Sequence, residues 1–174
     1  MNSIRVKVKK LHENAKLPVK SKKDDFCYDV FAATEEEIAP NVWRYGLGLA
    51  FEIEKCPINI GKTVMDIASE FDYPIICLDD EKSPIILDLD FRPRSSVWKT
   101  GMSLSNAEGT LDFGYRGEVA AVFYHILPDM PRYKVGDRIG QIKLGFTYPL
   151  DFEFVDEINM NTDRGEGGFG STGK

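Results

Sequence analysis

The chain predicts an all-β fold: a double-sheet jelly roll or distorted barrel formed by one domain spanning residues 1–174. Three observations predict it. Short runs of alternating apolar and polar residues recur along the length. Gly, Pro, Asn and Asp clusters separate those runs, as turns do between antiparallel strands. Helical periodicity shows in only one segment. A hydrophobic fraction of 43% over 174 residues is enough to pack one core. No internal repeat or linker divides the chain.

The elements follow in order. Ile4, Val6 and Val8 alternate with Arg5, Lys7 and Lys9, the signature of a half-buried strand. Lys16–Asp25 carries Leu-Pro and a run of charge, and reads as a loop. Phe26–Ala33 is a short apolar strand with one acid, Asp29, inside it. A charge among apolar neighbours needs partners. Asp29 is either a structural carboxylate or one that faces a metal or its waters. Ile38–Ile53 reads as a further strand pair. Val64, Ile67, Ala68 and Phe71 then fall at i, i+3, i+4 and i+7, one face of a short helix, with Thr63 and Asp66 placed as a capping box. Ile75–Leu78 is a short strand, and Leu87, Leu89 and Phe91 alternate with Asp88, Asp90 and Arg92 in another.

Pro93-Arg94-Ser95-Ser96 breaks that strand and offers a guanidinium fork and hydroxyls suited to phosphate. Ser105–Val119 reads as a tight hairpin punctuated by Asn106, Gly109, Gly114 and Gly117, feeding an apolar strand from Glu118 to Leu127. Asp112 and Tyr115 lie three apart on its return. An acid able to position a water, beside a flat ring and backbone amides, suits a planar base on a sugar. Arg138–Leu144 is a strand containing Gln141, whose amide must find partners if buried. Phe152 and Phe154 alternate with Glu153 and Val155 in a last strand.

The tail from about 161 to 174 is rich in glycine and reads as a flexible lid able to wrap phosphate oxygens with backbone N–H groups. It matches fragments of a dinucleotide fingerprint and of a P-loop. Both need a helix after the glycines, and the sequence given stops at Lys174.

Lys and Arg number 22 against 28 Asp and Glu, for a net charge of −6 and a pI near 5.0. That balance disfavours non-specific contact with nucleic acid or an anionic membrane. Three cysteines without a CxxC, and two histidines, argue against a disulfide scaffold or a zinc site. The thiols read as core filler in a reducing compartment, cytoplasmic, or nuclear or host-cytosolic for a eukaryotic or viral chain. No apolar run reaches membrane-spanning length, and the N-terminus has no signal-peptide core.

Five short stretches, in order, resemble the motifs of the trimeric dUTPases. They are Tyr28–Ala33, Pro93–Ser96, Gly109–Glu118, Gly136–Gln141 and Arg164–Gly173. The resemblance implies a dUTPase-like β-clip, assembled as a homotrimer with active sites at subunit interfaces. It implies Mg²⁺-dependent hydrolysis of dUTP to dUMP and pyrophosphate, which keeps uracil out of DNA and supplies dUMP for dTTP synthesis. Carried over, Asp112 would orient and deprotonate the attacking water, and Tyr115 would pack under the deoxyribose. Asn106, Gly109 and Thr110 would read the uracil edge. Arg94, Ser95, Ser96 and Gln141 would hold the phosphate chain. Arg164, Gly170, Ser171 and Thr172 would bind the terminal phosphate and Phe169 would cover the base. Mg²⁺ would be held by phosphates and water, with Asp29 acting only through those waters.

The chain departs from the family pattern in three places. Gly114 replaces a second Asp in the third motif, Phe26-Cys27 stands where Ala-Gly is usual, and residues from about 54 to 86 form an insertion. Two other readings compete: a dCTP deaminase on the same fold, or a non-catalytic dUTP-sensing protein acting through the insertion.

Overall fold

The structure, a computed structural model, describes residues 5–53, 86–112, 114–147, 150 and 152–162. Ten strands run through them: β1 (Val6–Lys10), β2 (Tyr28–Phe31), β3 (Glu36–Ala39), β4 (Val42–Gly46), β5 (Leu49–Ile53), β6 (Ile86–Arg92), β7 (Met102–Leu104), β8 (Gly109–Leu111), β9 (Ala120–His125) and β10 (Arg138–Thr147). The only helical element among the described residues is a 3₁₀ turn, Val97–Thr100. The helix expected at residues 64–71 and the strand at 75–78 lie outside the described residues, as does nearly all of the 54–86 insertion.

All strand pairs are antiparallel and form three sheets, ordered β1-β5, β2-β10-β6-β8 and β3-β4-β9-β7. They do not close into a barrel, so the jelly-roll half of the expectation holds. The core collects Val30, Leu47, Phe51, Phe91, Phe123 and Ile139 with their neighbours. Tyr45, Phe123 and Tyr133 meet edge to face there, with ring centroids 5.5–6.1 Å apart. Gly140 lets β10 lie against this core, because a Cβ at that position would run into the ring of Phe91.

Two expected strand arrangements are not found. Ser105–Val119 is not a hairpin. β8 pairs with β6, whereas β9 pairs with β4 and β7, so residues 112–119 cross from one sheet to another. Local strand propensity marks where strands lie but not which strands pair. Phe152–Val155 forms no strand among the described residues, and Phe152 and Phe154 are exposed. Alternation needs a neighbouring strand to become a ladder, and within these residues the segment has none.

Candidate active site

Asp29 lies on β2, 6% exposed. Its carboxylate takes a bond from Arg94 Nε to Oδ1 at 3.0 Å, from Arg138 Nη1 to Oδ2 at 3.0 Å, and from Ser21 Oγ to Oδ2 at 2.7 Å. Its backbone forms a two-way bridge with Val19. The carboxylate thus holds two arginines and a serine in place, which is anchoring work. Each bond is charge-assisted or shared with a hydroxyl, which suits a buried anion.

A register shift between Arg138 and Gly140 explains how Arg138 reaches Asp29. Residues three apart on a regular strand point to opposite faces. The bulge sets Arg138 opposite Phe31 and Gln141 opposite Asp29, so both share the Asp29 face, while Ile139 turns into the core at 0% exposure. Gln141 is half-buried at the centre of this sheet, between Asp29 on β2 and Arg92 on β6.

Arg94 spends one N–H on Asp29 and lines an open cleft of about 640 Å³ with Ser96, Lys99, Arg132 and Arg138. Ser95 is exposed beside it. The rim formed by residues 131–137 is pinned by Glu35, which accepts from Arg132 Nη1 at 3.0 Å and from the Val135 N–H at 2.9 Å. Burial raises the Glu35 carboxyl, but the Arg132 and Val135 bonds and the charges of Arg132 and Lys134 outweigh it and hold the group below its ordinary value. Arg132 also stacks on Trp43, 3.4 Å from the ring centroid.

A second cleft, of about 380 Å³, opens between β8 and β9 and is lined by Asn106, Gly109, Thr110, Asp112, Tyr115 and Glu118 among others. The turn before it is tight, with Ala107 at φ 54°. A Cβ on Gly109 would make ordinary contact with the Asn106 amide and Phe91, each 3.5 Å away. The Thr110 hydroxyl donates to Asp90 Oδ1 at 3.3 Å. Asp112 is exposed, and its carbonyl accepts the Tyr115 N–H at 2.9 Å, which turns the chain. The Tyr115 hydroxyl donates to the Glu118 carbonyl at 2.9 Å.

The structure thus groups the predicted residues into two sets. Asn106, Gly109, Thr110, Asp112 and Tyr115, the residues expected to meet base, sugar and water, share one cleft. Arg94 and Ser96 share the other, with Asp29 anchoring it. No described residue lines both. Arg164, Phe169, Gly170, Ser171 and Thr172 lie outside the described residues. Sequence reasoning missed Arg138, Arg44 and Glu118 as parts of these surfaces. Arg138 and Glu118 stand inside the motif stretches and were open to notice, whereas Arg44 on β4 carries no local signal.

Two of the departures noted in the sequence are structurally mild. A Cβ on Gly114 would meet nothing within 4 Å. Phe26 is 91% exposed and Cys27 half-buried and free, so neither presses on the core. Cys27 is therefore not the core filler expected of it.

The three antiparallel sheets, with their two separate polar clefts, define an all-β protein of the jelly-roll class. Comparison with known proteins narrows this. The dUTPase family model matches residues 71–173, more than half of the chain. The chain is 30% identical to the deoxyuridine 5′-triphosphate nucleotidohydrolase of Nautilia profundicola, covering 98% of this chain and all of that one. It is 31% identical to that of a Picosynechococcus strain, over 94% and 95% of the two chains. Among solved structures, the dUTPase of Staphylococcus bacteriophage 80alpha with dUpNHpp superposes with a TM-score of 0.70 at 21% identity, covering 98% of this chain and 99% of that one. The chain belongs to the dUTPase family.

Proposed function

We propose that the protein hydrolyses dUTP to dUMP and pyrophosphate, by attack of water on the α-phosphorus. The observation that carries this reading is the cleft in which Asn106, Gly109, Thr110, Asp112 and Tyr115 converge. Backbone groups of the 106–110 turn hydrogen-bond the uracil edge, and the narrow turn leaves no room for a thymine methyl. The Tyr115 ring supports the deoxyribose. Asp112 holds the attacking water and accepts its proton. A carboxylate is a weak base at neutral pH, so positioning and electrostatics supply most of the rate. Arg94, Ser95, Ser96 and Gln141 hold the phosphate chain, Arg164, Gly170, Ser171 and Thr172 the terminal phosphate, and Phe169 covers the base.

The donor set fits Mg²⁺ of the kind that phosphates and waters hold. Among the described residues no three acidic or thiol-bearing side chains or histidines cluster as a cage, and this ion prefers phosphate oxygens and retained water. Bound with the substrate, it would supply charge against the triphosphate. Asp29 would act on it only through water, since its oxygens already hold Arg94, Arg138 and Ser21.

Two observations support a homotrimer with shared sites. The acid cleft and the arginine cleft do not merge on one chain. Leu150, Phe152, Phe154 and Ile158 are each at least 72% exposed, an apolar run that a partner would cover. The cellular role is removal of dUTP before it enters DNA and supply of dUMP for dTTP, in the cytoplasm or an equivalent host compartment. No described helix is long and apolar enough to cross a membrane.

The test is pyrophosphate release from dUTP, dCTP, dTTP and UTP, with and without Mg²⁺, by wild type and Asp112→Asn. Metal-dependent release from dUTP alone, lost in the variant, is expected. Ammonia from dCTP would replace this reading with a deaminase. Binding of dUTP without turnover of any nucleotide would replace it with a sensor.

A further inference from the structure

Residues 112–119 leave one sheet and enter another, and the structure shows what holds them at the crossing. The Glu118 carboxylate accepts the Gly48 N–H through Oε1 at 3.1 Å and Arg44 Nη2 through Oε2 at 3.1 Å. A Cβ on Gly46 would run into Glu118 Oε1, so the β4–β5 corner is shaped to receive this carboxylate. Glu118 also presents its carbonyl to the Tyr115 hydroxyl at 2.9 Å. Gly117 lies against the hydroxyl end of that ring, for a Cβ there would strike Tyr115 Oη and Cζ. The hydroxyl end of the ring is therefore held by backbone that Glu118 anchors, while Tyr115 keeps 47% of its surface exposed at the cleft.

We infer that Glu118, clamped by Arg44 and the Gly48 N–H, is a positioning residue that holds the Tyr115 ring as the sugar-facing wall and so sets the preference for deoxyribose over ribose. This rests on the dUTPase reading above. The Arg44–Glu118 pair is partly exposed, at 36% and 29% for the two side chains, so its Coulombic contribution is modest. Its effect is geometric. A ribose 2′-hydroxyl adds one heavy atom, and a wall that recedes by on the order of 1 Å admits it.

The experiment measures kcat/KM for dUTP and UTP, with the Ki of UTP against dUTP as a second reading. The variants are Glu118→Gln, Arg44→Met, Arg44→Lys and Tyr115→Phe, each with its melting temperature. Glu118→Gln and Tyr115→Phe are expected to lower the dUTP/UTP ratio about tenfold, through better use of UTP. Arg44→Met is expected to lower it about threefold, and Arg44→Lys to recover most of the loss. A plain structural role would lower both nucleotides in proportion to the fall in melting temperature, and that outcome overturns the inference. An unchanged ratio in both Glu118→Gln and Tyr115→Phe overturns it as well. A wild-type protein inert toward dUTP would instead fail the reading beneath it.

Discussion

Replacing Asp29 by Asn separates an anchoring carboxylate from one that serves the metal. The side chain keeps its shape but loses its charge, and one oxygen becomes an NH₂ that faces other donors. Either Arg94 or the Arg138–Ser21 pair then meets a donor where it had an acceptor. A hydrogen bond to a charged group contributes about 1.5–3 kcal/mol. Asp29 makes three such bonds, but the Arg94 and Arg138 side chains are 31% and 46% exposed and rehydrate when released, which removes a large part of the sum. A net loss of about 2–3 kcal/mol remains, below the ~3–5 kcal/mol of breaking a fully buried pair. At about 2–4 °C per kcal/mol for a chain of this size, the melting temperature falls by roughly 5–10 °C. The assay is thermal melting without substrate or Mg²⁺, followed by Mg²⁺ titration of dUTP turnover. KM for dUTP should rise as Arg94 loses its tether, while the Mg²⁺ concentration for half-maximal rate stays near wild type. A variant that melts with wild type but needs much more Mg²⁺ would refute the anchoring argument.

Two further substitutions test other parts of the fold. Gly140→Ala should cost about 1–3 kcal/mol in urea unfolding, because the new methyl meets the buried Phe91 ring and the Arg92 carbonyl at 2.9 Å, neither of which yields easily. A variant as stable as wild type would show that β10 has room there. Glu35 is held below its ordinary value of 4.5 in the folded state, so its contribution is fully present above that pH and is lost as pH falls through the folded value. The stability difference between wild type and Glu35→Gln should therefore be constant near neutrality and shrink below pH 4.5. A difference that persists in acid would show that the loss is one of packing and not of charge.

The strands were legible wherever alternation was regular. β1, β6 and β9 fall close to where their apolar residues place them, since a half-buried strand writes its own period into the sequence. Pairing was not legible: residues 105–119 read as a hairpin locally, yet their two ends join different sheets. For the site, residue types in motif stretches singled out Asp112, Tyr115 and Arg94 as candidates, because chemistry restricts the side chains that can serve. They did not reveal that Arg138 and Arg94 share Asp29. That arrangement depends on a β-bulge, and nothing in Gly136–Gln141 announces one. Arg44 is the extreme case: 74 residues separate it from Glu118, and only the packing of β4 beside β9 brings them together.

The separation of the two clefts leads to a decisive test of shared sites. Suppose Asp112 of one chain works with Arg94 of another. Asp112→Asn and Arg94→Ala are each inactive alone, since every site in either homo-oligomer lacks one essential group. In a trimer reassembled from equal amounts of both, a site is intact when the chain giving the acid cleft carries the Arg94 change and the chain giving the arginine cleft carries the Asp112 change. Each condition holds for half of the chains, so about a quarter of the sites are whole and about a quarter of wild-type turnover returns. Were both clefts of one site drawn from the same chain, mixing would restore nothing, because every chain carries a defect. Recovery requires subunit exchange, which a labelled wild-type chain in the same mixture reports. A mixture that exchanges fully but stays inactive would place both clefts of each site on a single chain, and the reading of Phe152 and Phe154 as a covered face would then have to stand without the shared site.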